Sequence, residues 1–252
     1  MAIHIKTPAE ITAMRKGGAI LAEVLETICA AAKAGVSTYE LDQLAEEIII
    51  KQGGKPAFKG YRGFPATLCT AIDEVVVHGI PGKNQILKEG DLFTVDCGVI
   101  YDGMYTDAAR SMGIGKISDQ KKKMIEVAKE ALSKGISMAK PGNHVGDISR
   151  VIEETIKRNG YHVIYELTGH GVGRTLHEDQ MICNYWDRKP GAELKAGMTI
   201  AIEPIFSTGT NHIKTLADNW TIVTDDNSLA IQEENTILIT NNGSEIITAK
   251  KS

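Results

Sequence analysis

Apolar residues recur at helical spacing in two stretches of the chain that also resemble each other. In residues 35–53, GVSTYELDQLAEEIIIKQG, Leu41, Leu44 and Ile49 share one helical face; in residues 142–160, GNHVGDISRVIEETIKRNG, so do Ile148, Val151 and Ile156. The second stretch follows the first by 107 residues (142 against 35), and Gly35, Glu46-Glu47 and Gly53 match Gly142, Glu153-Glu154 and Gly160. A further block repeats at the same offset, KEGDLFTVD (88–96) against KAGMTIAIE (195–203). Two blocks sharing one offset predict two related halves, each of helices followed by strands. Each half has an earlier helix as well. One is predicted over 8–33, with Ile11, Met14, Leu21 and Leu25, and one over 118–140, between a Ser118 cap and a Pro141-Gly142 stop. Glycine-rich turns, KGYRGFP, HGIPGKN, YDGMY and TGHGVGR, are expected to separate the strands. No Ser/Pro-rich linker divides the halves, so the expectation is a single domain over 1–252, without an N-terminal extension, whose site lies between the halves.

The offset pairs two acidic residues. Asp96 and Glu203 close their copies of the repeated block, each at the end of an apolar run (FTVD, TIAIE). A carboxylate there is costly to bury unless it meets a cation. A strand-end acid is ordinary alone; two at matched positions point to a shared cation site. A third follows from pairing. Asp102-Gly103 is a favoured two-residue hairpin turn, which would pair residues whose numbers sum to 205. Asp96 then faces Ala109, and Asp107 lies on the same face, diagonally about 7–8 Å away at the backbone. That spacing suits bridging a metal pair; a hairpin facing solvent is the alternative.

Composition changes the picture only by exclusion. With 252 residues, 28 Lys+Arg against 32 Asp+Glu and 42% hydrophobic residues, the chain reads as an ordinary soluble globular protein. There is no signal-peptide pattern at the start and no apolar run long enough to span a bilayer. A net charge of −4 argues against broad phosphate-backbone binding, so no membrane or specific nucleic-acid partner is expected. Cys29, Cys69, Cys97 and Cys183 are too far apart for a CxxC motif and read as reduced thiols of a cytoplasmic protein.

Two more candidate ligands stand out. Glu234 lies in SLAIQEENTILIT, read as a strand, and His170 lies in LTGHGVGRTLH. The glycines there do not make GxGxxG, His177-Glu178 does not begin HExxH because residue 181 is Met, and Walker A and GxSxG sequences are absent. Asp96, Asp107, His170, Glu203 and Glu234 together offer four carboxylates and one imidazole. Their four negative charges would balance two divalent cations, and oxygen-rich ligation with one imidazole suits Mn, Fe, Co or Zn. Two such ions about 3.5–4 Å apart make a hydrolytic site.

These residues resemble type I methionine aminopeptidases over essentially the whole chain. The resemblance is carried by VVVHGIPG around His78, VDCGVIYDGMYTD from Asp96 to Asp107, LTGHGVGRTLHE from His170 to Glu178, AIEP at Glu203 and QEENT at Glu234. It implies an α+β, pita-bread fold, with two pseudo-symmetric α/β halves around a central dimetal site held by the five residues above. It further implies Glu203 as general base, His78 facing the scissile amide nitrogen and His177 the carbonyl oxygen. Taken singly, either histidine reads as an ordinary turn or surface residue. Phe58, Tyr61, Phe64, Cys69, Leu176 and Trp220 fall where the family lines its methionine pocket, although core packing of a hairpin explains the aromatic 58–64 run equally well from sequence. The implied function is removal of the initiator methionine before a small second residue, with nascent chains as substrate, transient ribosome contact and a monomeric state.

The chain departs from the family pattern at several points. Leu176 replaces an aromatic residue, Asn235 a common His and Gln180 a Pro. Ala71, Asp73 and Ala230 alter the surroundings of the family's monovalent-cation site. The Lys121-Lys122-Lys123 run is a candidate ribosome-facing surface, with a solvated helix start as the plainer reading. Two other functions fit the fold: a proline-directed pita-bread peptidase, and a non-catalytic pita-bread binding protein.

Overall fold

Both helix pairs begin at side-chain caps. In α1 (Pro8–Ala31) and α2 (Thr38–Lys51), Thr7 and Ser37 accept from the backbone N–H of Glu10 and Glu40, whose carboxylates return to the cap backbone. Ser118 caps α3 (Asp119–Met138), as its position in the sequence implies, and α4 (Val145–Arg158) follows. The structure, a computed structural model, describes residues 4–249. Both ends of α2 and α4 are displaced by the same 107 residues as the sequence blocks, and so are the isolated bridges Ser37–Ile86 and His144–Glu193.

Each pair covers its own sheet. The apolar stripes of α1 and α2, including Leu21, Leu25, Leu41 and Ile49, pack on Phe93, Val95, Cys97 and Val99. Those of α3 and α4, including Val127, Leu132, Ile148 and Ile152, pack on Ile200, Ile202, Ile237 and Ile239.

The first sheet is built on a hairpin, Leu92–Tyr101 with Met104–Gly113, paired from Leu92–Gly113 to Tyr101–Met104. Asp102 (φ 48°) and Gly103 (φ 76°) both take left-handed backbone, the geometry of the tight turn that Asp-Gly favours. Asp96 therefore faces Ala109, and Asp107 sits two residues along. Leu68–Ile72 lies on the other side and sets Cys69 opposite Asp96. The second sheet has the order Gly243–Ile246, Asn235–Thr240, Thr199–Ile202, Gly169–Gly171, Glu178–Ile182.

The halves join at the acidic residues. Ala109 and Glu234 exchange backbone hydrogen bonds (3.1 and 3.3 Å). The Asp107 N–H donates to Thr236 Oγ1 at 2.9 Å, and that hydroxyl donates to the Asp107 carbonyl at 2.8 Å.

Three local expectations change. TGHGVGR is not simply a turn, because Gly169–Gly171 forms an interior strand of the five-stranded sheet. Bare glycine lets neighbouring backbones close in; a Cβ at Gly169 would collide with the Ala201 carbonyl. The segment around Glu234 is not one strand either: it is broken between Ala230–Gln232 and Asn235–Thr240, which belong to different sheets. The aromatic 58–64 run forms no hairpin, but a loop with a 3-10 turn at Tyr61–Gly63.

Candidate active site

Five potential ligands converge where the sheets meet. Asp96 and Asp107 come from the first hairpin, His170 from the short glycine-flanked strand, and Glu203 and Glu234 from the breaks after Ile202 and Gln232. All five are buried, with 8% or less of each residue exposed. Donor atoms of Asp107, His170 and Glu234 lie within 4.8 Å of one another. His170 Nε2 is 3.6 Å from Glu203 Oε1 and 3.8 Å from Asp107 Oδ2.

These groups fit a cation. Burial holds all four carboxyls above their ordinary range, Asp96 at about 7, and their mutual repulsion raises Asp107, Glu203 and Glu234 further. Asp96 Oδ1, Asp107 Oδ1 and Glu234 Oε1 are buried without a hydrogen-bond partner among the described residues. His170 makes the point most directly. Its Nδ1–H donates to the Gly171 carbonyl at 3.0 Å, and burial depresses the imidazole pKa to about 4. The ring is therefore neutral near pH 7, and its Nε2 lone pair faces two carboxylates. Lone pairs aimed at one another across 3.6–3.8 Å are reconciled by a cation between them or, without one, by a proton kept on a carboxyl.

A cavity of about 350 Å³ opens onto this cluster. The candidate ligands, substrate-facing histidines and pocket residues all line it: the five above, His78 and His177, and Phe58, Tyr61, Phe64, Cys69, Leu176 and Trp220. His78 has left-handed backbone (φ 59°) and lies edge-on to Trp220, ring centres 6.4 Å apart. His177 sits at the mouth, its ring centre 4.3 Å from that of His170 and its Nδ1 3.0 Å from the Tyr61 hydroxyl. Burial lowers the pKa of both; for His177, neighbouring His170 and His78 add to the effect. Phe64 meets Trp220 edge-on at 5.1 Å, and Leu176, 2% exposed, packs among Phe58, Phe64 and Cys69. One end of the cavity is thus apolar and the other lined with carboxyl groups and the His170 imidazole.

Residues 12–241 match the model of metallopeptidase family M24. The chain belongs to that family. Among M24 relatives, the methionine aminopeptidase of Clostridium acetobutylicum is 48% identical, with 98% of each chain covered. Methionine aminopeptidase 1 of Bacillus subtilis is 45% identical over 98% of this chain and 99% of its own. The crystal structure of the methionine aminopeptidase from Thermotoga maritima superimposes with a TM-score of 0.97 at 43% identity, over 99% of this chain and 100% of that one. The prolidase of Pyrococcus horikoshii shares the fold at a TM-score of 0.79 and 26% identity, and this chain covers 64% of it. The M24 pita-bread fold accounts for the paired halves.

Within this M24 site the sequence reading missed Gln232. Its Nε2 donates to Glu203 Oε2 at 3.2 Å and to Glu234 Oε2 at 3.4 Å. The available signal was its place two residues before Glu234, but a carboxamide carries no charge to mark it. Arg110 was missed too. Its guanidinium donates to the carbonyls of Glu234, Ala109 and Thr248 and to Asn235 Oδ1, clamping the Glu234 backbone. Asn235 thus points at Arg110 and Thr248, and its substitution leaves the carboxylates untouched. Asp73 accepts from the Lys121 ammonium at 2.6 Å, and Lys122 pairs with Asp119. Two of the three lysines in that run therefore serve the start of α3.

Proposed function

We propose that this M24 enzyme removes N-terminal methionine from polypeptides with a small second residue, using two divalent cations (Mn, Fe, Co or Zn) held by Asp96, Asp107, His170, Glu203 and Glu234. The observation that carries this reading is the junction, in one cavity, of an apolar, thiol-containing pocket with a buried oxygen-rich cluster. Bound cations supply Lewis acidity and lower the pKa of water. Glu203, with one carboxylate edge held by Gln232, accepts the proton of the attacking water. His177 donates to the carbonyl oxygen as charge builds on it. His78 faces the amide nitrogen, where the departing amine needs a proton. Phe58, Tyr61, Phe64, Cys69, Leu176 and Trp220 take the unbranched thioether side chain.

The same reading places the enzyme in the cytoplasm as a monomer, acting on nascent chains with transient ribosome contact. A panel of X-Ala-Ser peptides tests specificity. Met-Ala-Ser is expected to be cleaved best. Lys-Ala-Ser should be rejected, because none of the six residues assigned to the side-chain pocket is a carboxylate that could pair a buried ammonium, and Val-Ala-Ser should fit poorly through its branch at Cβ. Norleucine and Leu should gain from the loss of aromatic bulk at Leu176. Hydrolysis of Lys-Ala-Ser as fast as Met-Ala-Ser sinks the pocket assignment, and preference for an X-Pro peptide favours the proline-directed alternative.

A further inference from the structure

An ion pair that the proposed chemistry leaves unused lies behind the loop carrying His177. Lys6 Nζ is 2.5 Å from Glu178 Oε2, with side-chain exposures of 0% and 6%. The other carboxylate oxygen, Oε1, accepts from the Arg174 N–H at 2.9 Å and so closes loop 174–178. Thr175 Oγ1 donates to the His177 carbonyl at 2.9 Å inside that loop. Leu176 and His177 are its two residues that face the cavity. Lys6 is itself anchored, since its N–H donates to the Gly197 carbonyl at 2.8 Å. A side chain at Gly173 would strike Lys6 Cε, so bare backbone is needed for the lysine to pass. A second clasp, Arg174 to Glu10 at 2.6 Å, is more exposed and correspondingly weaker.

We propose that Lys6 is a positioning residue: through the Glu178 carboxylate it fixes loop 174–178 and thereby sets where the His177 imidazole meets the substrate carbonyl. This rests on the substrate-facing role given to His177 above. The physical case is one of burial. An ammonium removed from water is retained only where its partner is well placed, and deleting it leaves a buried carboxylate uncompensated. Glu178 would then turn toward water or take up a proton. Either response weakens its hold on the Arg174 N–H, and a shift of His177 by a fraction of an ångström is enough to slow the reaction.

The test uses the metal-loaded full chain with Met-Ala-Ser. Lys6→Met is expected to lower kcat by about 10- to 100-fold, with KM and metal content little changed. In a His177→Ala background the same substitution should have no further effect, because its route of action is already gone. Glu178→Gln keeps the side-chain size but has a single oxygen acceptor for two donors. It should show the same dependence on His177, and it serves if Lys6→Met folds poorly. Full activity of both variants, or equal losses with and without His177, overturns the proposal. A His177→Ala enzyme as active as the parent removes the role of His177 itself and this inference with it. An impaired His177→Ala enzyme together with an unimpaired Lys6→Met enzyme removes this inference alone.

Discussion

At the scale of single residues, the site is a set of carboxyls and lone pairs that a bound cation reconciles in place of retained protons. His170 is its clearest member, because a neutral ring bonded through Nδ1 to Gly171 leaves Nε2 nothing but carboxylates to face. His78 and His177 differ from it, since neither has a carboxylate ion-pair contact among the described residues. His78→Ala should therefore lower turnover by about 10²–10⁴-fold with metal content unchanged, as for loss of a positioned acid. Loss of metal in that variant would make His78 a ligand instead. Gln232 works one step further back, with its amide held against both Glu203 and Glu234. Gln232→Leu should weaken metal binding by about 10–100-fold, the usual cost of removing a hydrogen bond that orients ligands. Equilibrium dialysis of the two proteins against the same metal buffer measures it, and equal affinities would mean that Gln232 only fills space.

At the scale of elements, three of the five candidate ligands are carried by irregularities. Asp96 and Asp107 sit on a regular hairpin, but Glu203 and Glu234 occupy breaks between strands, and His170 lies beside a register shift between His170 and Gly171. Gly169→Ala tests how closely these pieces must approach. The added methyl meets the Ala201 carbonyl, two residues before Glu203, and overpacking of this kind costs about 1–3 kcal/mol. The variant is expected to melt at a lower temperature and to bind metal less tightly. An unchanged melting temperature would show that the strand can move aside. The same contrast explains what could be read from the sequence. The Asp102-Gly103 turn fixed the hairpin register, and with it the shared face of Asp96 and Asp107, because a two-residue turn leaves no slack. The 107-residue offset located α2 and α4 because amphipathic helices are local objects. His170 in a strand, the break at Glu234 and the lining role of Phe58, Tyr61 and Phe64 depend on contacts with distant backbone, which periodicity does not encode. Gln232 and Arg110 belong with these; their roles exist only once the two halves meet.

At the scale of the molecule, the joining of the two halves sets stability against function. Four carboxylates are buried at the seam, and their raised pKa values mean that the fold disfavours their ionised forms. Unfolded, the same groups titrate near pH 4. Below that pH both states are protonated and nothing is lost. As pH rises from about 4 through the folded value, about 7 for Asp96, the unfolded chain gives up protons that the folded chain retains, so stability falls across that window. The metal-free protein should therefore melt at a lower temperature at pH 8 than at pH 5. Cations reverse the sign, because they bind the ionised carboxylates and only the folded state assembles them. Added Mn²⁺ should raise the melting temperature more at pH 8 than at pH 5. Glu234→Gln separates this account from a general effect of pH. It removes one buried carboxyl that the fold disfavours in its ionised form and one proposed ligand together, so at pH 8 it should melt above the parent without metal and below it with Mn²⁺. A variant that is less stable than the parent in both conditions would show that Glu234 serves packing, and that repulsion at the seam is not what the metal relieves.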